Sequence, residues 1–152
     1  MKLNLKIPPV AQGLVAIVLI WLFDRYAPNY YIKFIYQYIV AYALIGIGAI
    51  VALSGVISFI KLSTTIDPRY PKKASELVIS GIYKYSRNPM YLGILLAITG
   101  IAVFFGALSG IFIVFSFVAF INKYQIVPEE VALREKFGEN YTDYTQKVRR
   151  WF

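Results

Sequence analysis

From Tyr38 to Ile60 the chain runs for 23 residues without a charge. As a helix this stretch is about 34 Å long, enough to cross a hydrocarbon core of roughly 30 Å. The composition agrees, because 59% hydrophobic residues against 16% charged and a mean hydropathy of +0.60 are too apolar for a soluble domain of 152 residues. The chain is expected to form a single membrane domain over residues 1–152. The net charge of +8 also occurs in nucleic-acid binders, but membrane proteins collect Lys and Arg on the cytoplasmic side. No nucleic-acid partner is expected. There is no Cys and no His, which excludes disulfides, thiolate and imidazole metal sites, cysteine nucleophiles and every Ser-His triad. Chemistry must run on carboxylates, Arg, Lys, Tyr, amides or a bound cofactor.

Two further apolar stretches flank the central one. Val10 to Phe23 follows the basic start Met1-Lys2-Leu3-Asn4-Leu5-Lys6 and has the length of a signal-peptide core, but Asp24-Arg25 comes next and no small-x-small cleavage site does. An uncleaved span over 8–24, opened by Pro8-Pro9, is expected. Tyr91 to Ile121 is uncharged for 31 residues, about 46 Å as one helix. It is either one strongly tilted helix or a hairpin turning at Gly106-Ala107-Leu108-Ser109-Gly110. The basic residues decide. A hairpin places fourteen of them inside and two, Arg25 and Lys33, outside, whereas a single helix puts two groups of six on opposite faces. The expected fold is therefore all-α and integral to the membrane. Four transmembrane helices over 8–24, 38–60, 89–105 and 108–127 include a hairpin of spans 3 and 4, and the cytoplasmic loop 61–88 and tail 128–152 carry amphipathic helices. Tyr26, Tyr30, Tyr31, Tyr36 and Tyr38 would form an interfacial belt around the outer loop.

Small residues give the helix contacts. Gly48, Ala52 and Gly55 share one face of the second span, and Gly93, Ala97 and Gly100 repeat the spacing on the third, so both allow close backbone approach. Gly46-Ile47-Gly48 also admits a ligand touching the backbone, a weak signal without strand context.

Two polar clusters remain, both on the cytoplasmic side. The loop holds Thr64-Thr65-Ile66-Asp67-Pro68, Pro71-Lys72-Lys73 and an apolar stretch around Leu77, Val78, Ile79, Ile82, Tyr83 and Tyr85 that is expected to lie in the interface. Asn88-Pro89 reads as an N-cap and first helical residue, and beside Arg87 this helix start also suits a carboxylate or phosphate. The second cluster, Pro128-Glu129-Glu130 to Arg134-Glu135-Lys136-Phe137-Gly138, reads as a short helix with acids at its positive end, a Glu130–Arg134 pair and a glycine stop. Its acids nevertheless emerge at the same membrane boundary as Arg87. In the tail, Tyr141, Tyr144, Val148 and Trp151 form one helical stripe, expected to dock on the membrane surface rather than to cover a ligand.

The two clusters in this order, Gly81-Ile82-Tyr83-Lys84-Tyr85-Ser86-Arg87-Asn88-Pro89-Met90-Tyr91-Leu92-Gly93, then Glu129-Glu130, Phe137-Gly138-Glu139-Asn140-Tyr141 and Val148-Arg149-Arg150, resemble the isoprenylcysteine carboxyl methyltransferase and phospholipid methyltransferase superfamily over roughly residues 40–152. The resemblance implies a membrane methyltransferase using S-adenosylmethionine, with S-adenosylhomocysteine as product and no metal. It implies that Arg87, Asn88, Pro89 and Tyr91 line the cofactor pocket, that Leu77, Val78, Gly81 and Tyr83 lie near the adenosine, and that Glu129 or Glu130 holds the methionyl amino group. Arg87 and Glu130 are the candidate catalytic residues, a Glu taking the proton where the acceptor is an amine. Tyr83, Tyr85 or Tyr91 would face the sulfonium. Carboxyl methyltransferases have His where this chain has Asn88, and Asn88-Pro89-Met90-Tyr91 is similar to phosphatidylethanolamine N-methyltransferases instead. The acceptor is expected to be hydrophobic or lipid-like, with a carboxylate, thiol or amine head. Membrane lipids are the expected partners and a bacterial inner membrane the expected location, with both termini cytoplasmic. The rival readings are a nicotinamide-dependent membrane reductase with a related core and a non-catalytic scaffold binding anionic lipid.

Overall fold

In the computed structural model the described residues are 7–27, 30–61 and 76–152. Asp67-Pro68, Thr64-Thr65, Pro71-Lys72-Lys73 and the basic residues Lys2 and Lys6 lie outside them. The described residues form helices α1 (Pro9–Tyr26), α2 (Gln37–Lys61), α3 (Pro89–Phe105), α4 (Leu108–Ile121), α5 (Val127–Phe137) and α6 (Glu139–Lys147). A 3-10 turn, Gly81–Lys84, precedes α3, and a π turn, Asn122–Ile126, joins α4 to α5. Among the described residues there is no strand, only an isolated bridge between Tyr31 and Ala107.

Three helical runs are long and apolar enough to cross a membrane: Pro9–Tyr26, Gln37–Lys61 and the continuous Leu108–Phe137. Pro89–Phe105 is apolar but shorter, about 25 Å at 1.5 Å per residue. The outer faces carry exposed Leu14, Trp21, Ile50, Leu53, Phe112 and Phe115, the surface of a protein solvated by lipid rather than water. Tyr26, Tyr30, Tyr31, Tyr36 and Tyr38 are all exposed around the α1–α2 connection.

The apolar stretch after Tyr91 is a hairpin. Gly106 ends α3 at φ +71° and donates its N–H to the Ala102 carbonyl, a left-handed cap that glycine adopts without a Cβ penalty. The α1–α2 connection is tied to this turn: Ile32 N–H donates to the Gly106 carbonyl at 2.8 Å and Leu108 N–H to the Tyr30 carbonyl at 2.9 Å. Buried Gln37 donates to the Val103 and Phe104 carbonyls, which the end of α3 leaves without helical donors.

The glycine faces meet as expected. A Cβ on Gly48 would lie 2.6 Å from the Gly93 carbonyl oxygen, and one on Gly100 would lie 2.8 Å from the Ala41 carbonyl oxygen, so α2 and α3 touch backbone to backbone. Gly55 abuts Met90 and Pro89, while Gly46 has nothing within 4 Å of a built Cβ. Gly48 is thus a packing residue, and the ligand reading of Gly46-Ile47-Gly48 finds no support in its surroundings. On the other side of α3, Ile98 packs with Ala16 and Ile20 of α1 and Phe117 and Ile121 of α4 in one apolar core.

Three local expectations are corrected. The fourth apolar helix does not end at Val127; it continues to Phe137 through the π turn, where Val127 N–H reaches back five residues to the Asn122 carbonyl. Pro128 supplies no N–H of its own, and a widened turn immediately before it lets the helix continue past that missing donor. The tail stripe is broken, because α6 ends at Lys147 and Val148 is extended. Its side chains turn inward: Tyr141, Tyr144 and Val148 are buried in a cluster with Leu77, Leu133 and Phe137, so apolar area expected on lipid is covered by the loop and α5. In the described part of the loop, only Gly81–Lys84 is helical, with Val78 and Tyr83 buried but Ile79 and Tyr85 exposed.

Candidate functional site

The hairpin brings the two polar clusters together. Arg87, before α3, donates from Nη2 to Glu130 Oε1 at 3.0 Å, closing 43 residues of chain. Glu129, one residue earlier on α5, faces Tyr91 on α3, whose hydroxyl donates to Oε2 at 2.8 Å. Adjacent residues on one helix turn thus serve two different walls, as the roughly 100° step between helical neighbours requires.

Between these walls lies a cleft lined by Arg87, Asn88, Tyr91, Glu129 and Glu130, with Leu77, Val78 and Tyr83 contributed by the loop. All eight were singled out in the sequence. Gly81 and Pro89 were too, but they do not line it. Gly81, at φ +62° and against Ser58, starts the turn that carries Tyr83 inward, and Pro89 is fully buried against α2. Phe59, Glu76, Met90, Leu133, Tyr141 and Tyr144 complete the wall. Of these, Met90 stands in the Asn88-Pro89-Met90-Tyr91 motif and the tyrosines in the tail stripe, whose expected cover is lipid; Phe59, Glu76 and Leu133 carry no site signal of their own. The free space amounts to about 70 Å³, well below the roughly 300–1,000 Å³ of small-molecule sites. A ligand of that size needs the walls to part.

Asn88 stands at the N-cap position, but its side chain makes no cap bond. Its Nδ2 donates instead to the Arg150 carbonyl at 2.9 Å, and its backbone N–H to Ser86 Oγ at 3.1 Å. The expected Asn88 cap is therefore replaced by a bond to the returning C-terminal segment. Arg87 N–H similarly donates to the Arg149 carbonyl at 3.1 Å. Glu130 turns away from Arg134 as well. Its carboxylate takes Arg150 Nε at 3.0 Å and Nη2 at 2.7 Å, in addition to Arg87, a two-pronged charge-assisted contact stronger than a helical i to i+4 pair. Those hydrogen bonds hold the Arg150 guanidinium pKa up. Arg87 Nε is buried without a hydrogen-bond partner, a donor in reserve at the cleft wall.

The tail tyrosines are neutral, and one of them is a donor. Tyr144 donates to the Tyr83 carbonyl at 2.7 Å, and burial raises both hydroxyls above the ordinary tyrosine value. Burial, and then Glu130 beside it, push Tyr141 from 10.0 up to about 12. A raised folded value stabilises the docked tail fully below the unfolded pKa and loses that stabilisation as pH rises through the folded one. Tail docking is expected to hold to about pH 10 and fail progressively toward about pH 12. Trp151 fluorescence in a Trp21→Phe background measures this; loosening already near neutral pH contradicts it.

Comparison with known proteins accords with this geometry. Residues 36–140 match the family model of phospholipid methyltransferase. The chain is also 42% identical over 62 residues to an uncharacterized protein of Haemophilus influenzae, an alignment covering 41% of this chain and 98% of that protein. No solved structure matches. The family match spans α2, the hairpin, α5 and the cleft residues from Leu77 to Glu130, and so the chain belongs to the phospholipid methyltransferase family, within the isoprenylcysteine carboxyl methyltransferase-like superfamily of membrane methyltransferases.

Proposed function

We propose that this protein transfers a methyl group from S-adenosylmethionine to a hydrophobic or lipid-like acceptor, and that the cleft between the Arg87 and Glu129 walls holds the cofactor. One observation carries the reading. A guanidinium with an unpaired buried Nε and a separate carboxylate with a single hydrogen-bond partner line the same cleft. These are complementary to the carboxylate and ammonium of an amino-acid cofactor. Of the paired acids on α5, Glu129 is assigned to the ammonium, because Glu130 is already taken by two arginines.

When bound, S-adenosylmethionine supplies an electrophilic methyl group on a sulfonium whose charge disappears on transfer. The residues present suit that charge. Tyr83, Tyr91 and Tyr141 offer aromatic rings at the cleft, and such rings hold cations by their faces. Apolar Leu77, Val78 and Leu133 exclude water on the loop side, which favours attack by a desolvated nucleophile. An amine acceptor must lose a proton in the course of transfer, whereas a carboxylate or thiolate acceptor requires no such step. Four spans, with α3 as the short one and both termini and the cleft cytoplasmic, follow from the distribution of basic residues. The acceptor would reach the cleft from the bilayer, its reactive head at the boundary.

Incubation of the detergent-purified protein with methyl-labelled S-adenosylmethionine and a bacterial inner-membrane lipid extract tests the reading. Label appearing in the organic phase, dependent on Arg87 and Glu129, supports it. Equal transfer to water-soluble acceptors removes the lipid-like assignment, and absence of any transfer from a cofactor that binds removes the catalytic one.

A further inference from the structure

We propose that Arg150 is a positioning residue of the cleft: by neutralising Glu130 it keeps the charge of Arg87 available to an anionic group of the ligand. The inference rests on the cofactor reading above and concerns a residue outside the matched region 36–140.

Glu130 accepts three N–H bonds, two from Arg150 and one from Arg87. Within this triad, one carboxylate against two guanidinium groups leaves a net positive charge. The side chains of Arg87 and Glu130 are only 13% and 19% exposed while that of Arg150 is 36% exposed, so the unbalanced charge is least hydrated at Arg87. There the Nε lacks a partner. Without Arg150, Glu130 becomes free to take Arg87 in the two-pronged geometry that Arg150 now uses, and the remaining pair carries no net charge.

The segment that brings Arg150 here does not depend on its guanidinium. The Arg149 carbonyl accepts from Arg87 N–H, the Arg150 carbonyl accepts from Asn88 Nδ2 and, at 3.5 Å, from Ser86 Oγ, and Trp151 packs against the apolar core. All these contacts survive truncation of the Arg150 side chain. Arg150→Ala therefore removes a charge and two hydrogen bonds without releasing the segment.

The test is a double-mutant cycle read by titration of S-adenosylhomocysteine. Arg150→Ala is expected to weaken binding about tenfold or more, the scale of a charged hydrogen bond. Adding Glu130→Gln is expected to return affinity to within a few-fold of the native protein, because a neutral amide no longer captures Arg87. Arg150→Lys, which keeps the charge but not the fork, should fall between. A merely structural Arg150 predicts that the double variant is no better than the single one. A readout without ligand runs alongside: the Arg87 Nε–H resonance in arginine-labelled protein, assigned by its loss in Arg87→Lys, should move in Arg150→Ala and return in the double variant. Unchanged affinity in Arg150→Ala, no recovery in the double variant, or an unmoved resonance overturns the proposal. If the native protein binds no S-adenosylhomocysteine, the cofactor reading fails separately and the resonance alone decides the role of Arg150.

Discussion

Glu129→Gln is expected to weaken S-adenosylhomocysteine binding by roughly 10- to 100-fold while leaving the fold intact, the scale of one charge-assisted hydrogen bond in a partly buried site. The substitution is nearly isosteric. The Tyr91 hydroxyl, which donates to Glu129 Oε2, can donate equally to an amide oxygen, so no buried group is orphaned. What disappears is a carboxyl group that a bound ammonium would hold in its ionised form. A structural carboxylate predicts the reverse pattern, a lower unfolding temperature with unchanged affinity. Thermal unfolding and titration on the same preparation separate the two, and an affinity within threefold of the native protein would sink the assignment of Glu129 to the ammonium.

The second large effect is on the scaffold. A Cβ at Gly93 would sit 2.5 Å from the Gly48 carbonyl oxygen, 2.6 Å from Ala52 Cβ and 2.7 Å from Ala52 N. Two of these three are backbone atoms of α2, which no rotamer change can move aside. Gly93→Val must therefore drive α2 and α3 apart, at the upper end of the 1–3 kcal/mol typical of overpacking or beyond it. Because Met90 and Tyr91 start α3 on the same side of the chain as the cleft, ligand binding should be lost with it. Gly46→Ala is the control: nothing lies within 4 Å of its Cβ, and alanine is the better helix former by about 1 kcal/mol. Unfolding temperatures in detergent should fall sharply for the first variant and hold or rise for the second. Equal tolerance of both would mean that α2 and α3 do not pack through this face.

These contrasts show what was legible in the sequence. The hairpin could be read because its turn needs a left-handed residue and Gly106 stands at the middle of an overlong apolar run. The α2–α3 contact could be read because close approach needs small residues at helical spacing, and Gly48 and Gly93 supply them. The ion pair itself could not be read, although the hairpin topology put Arg87 and the acids at one boundary. Asn88 and Glu130 had good local roles, a cap and a helical pair, and both gave way to partners brought back from the C-terminal segment, Asn88 across 62 residues and Glu130 across 20. The stripe of Tyr141 and Tyr144 was visible, but an amphipathic face does not state what covers it. Here the loop and α5 cover it, and the tyrosines become cleft walls. The π turn left no mark beyond Pro128.

The most direct measurement is a calorimetric titration of S-adenosylhomocysteine into the purified protein, run against a nicotinamide dinucleotide and repeated on Arg87→Ala and Glu129→Gln. The account predicts one-site binding of the adenosyl ligand, lost or strongly weakened in both variants, and none of the dinucleotide. Folded protein that binds the dinucleotide instead, or binds S-adenosylhomocysteine equally well in all three forms, would contradict it.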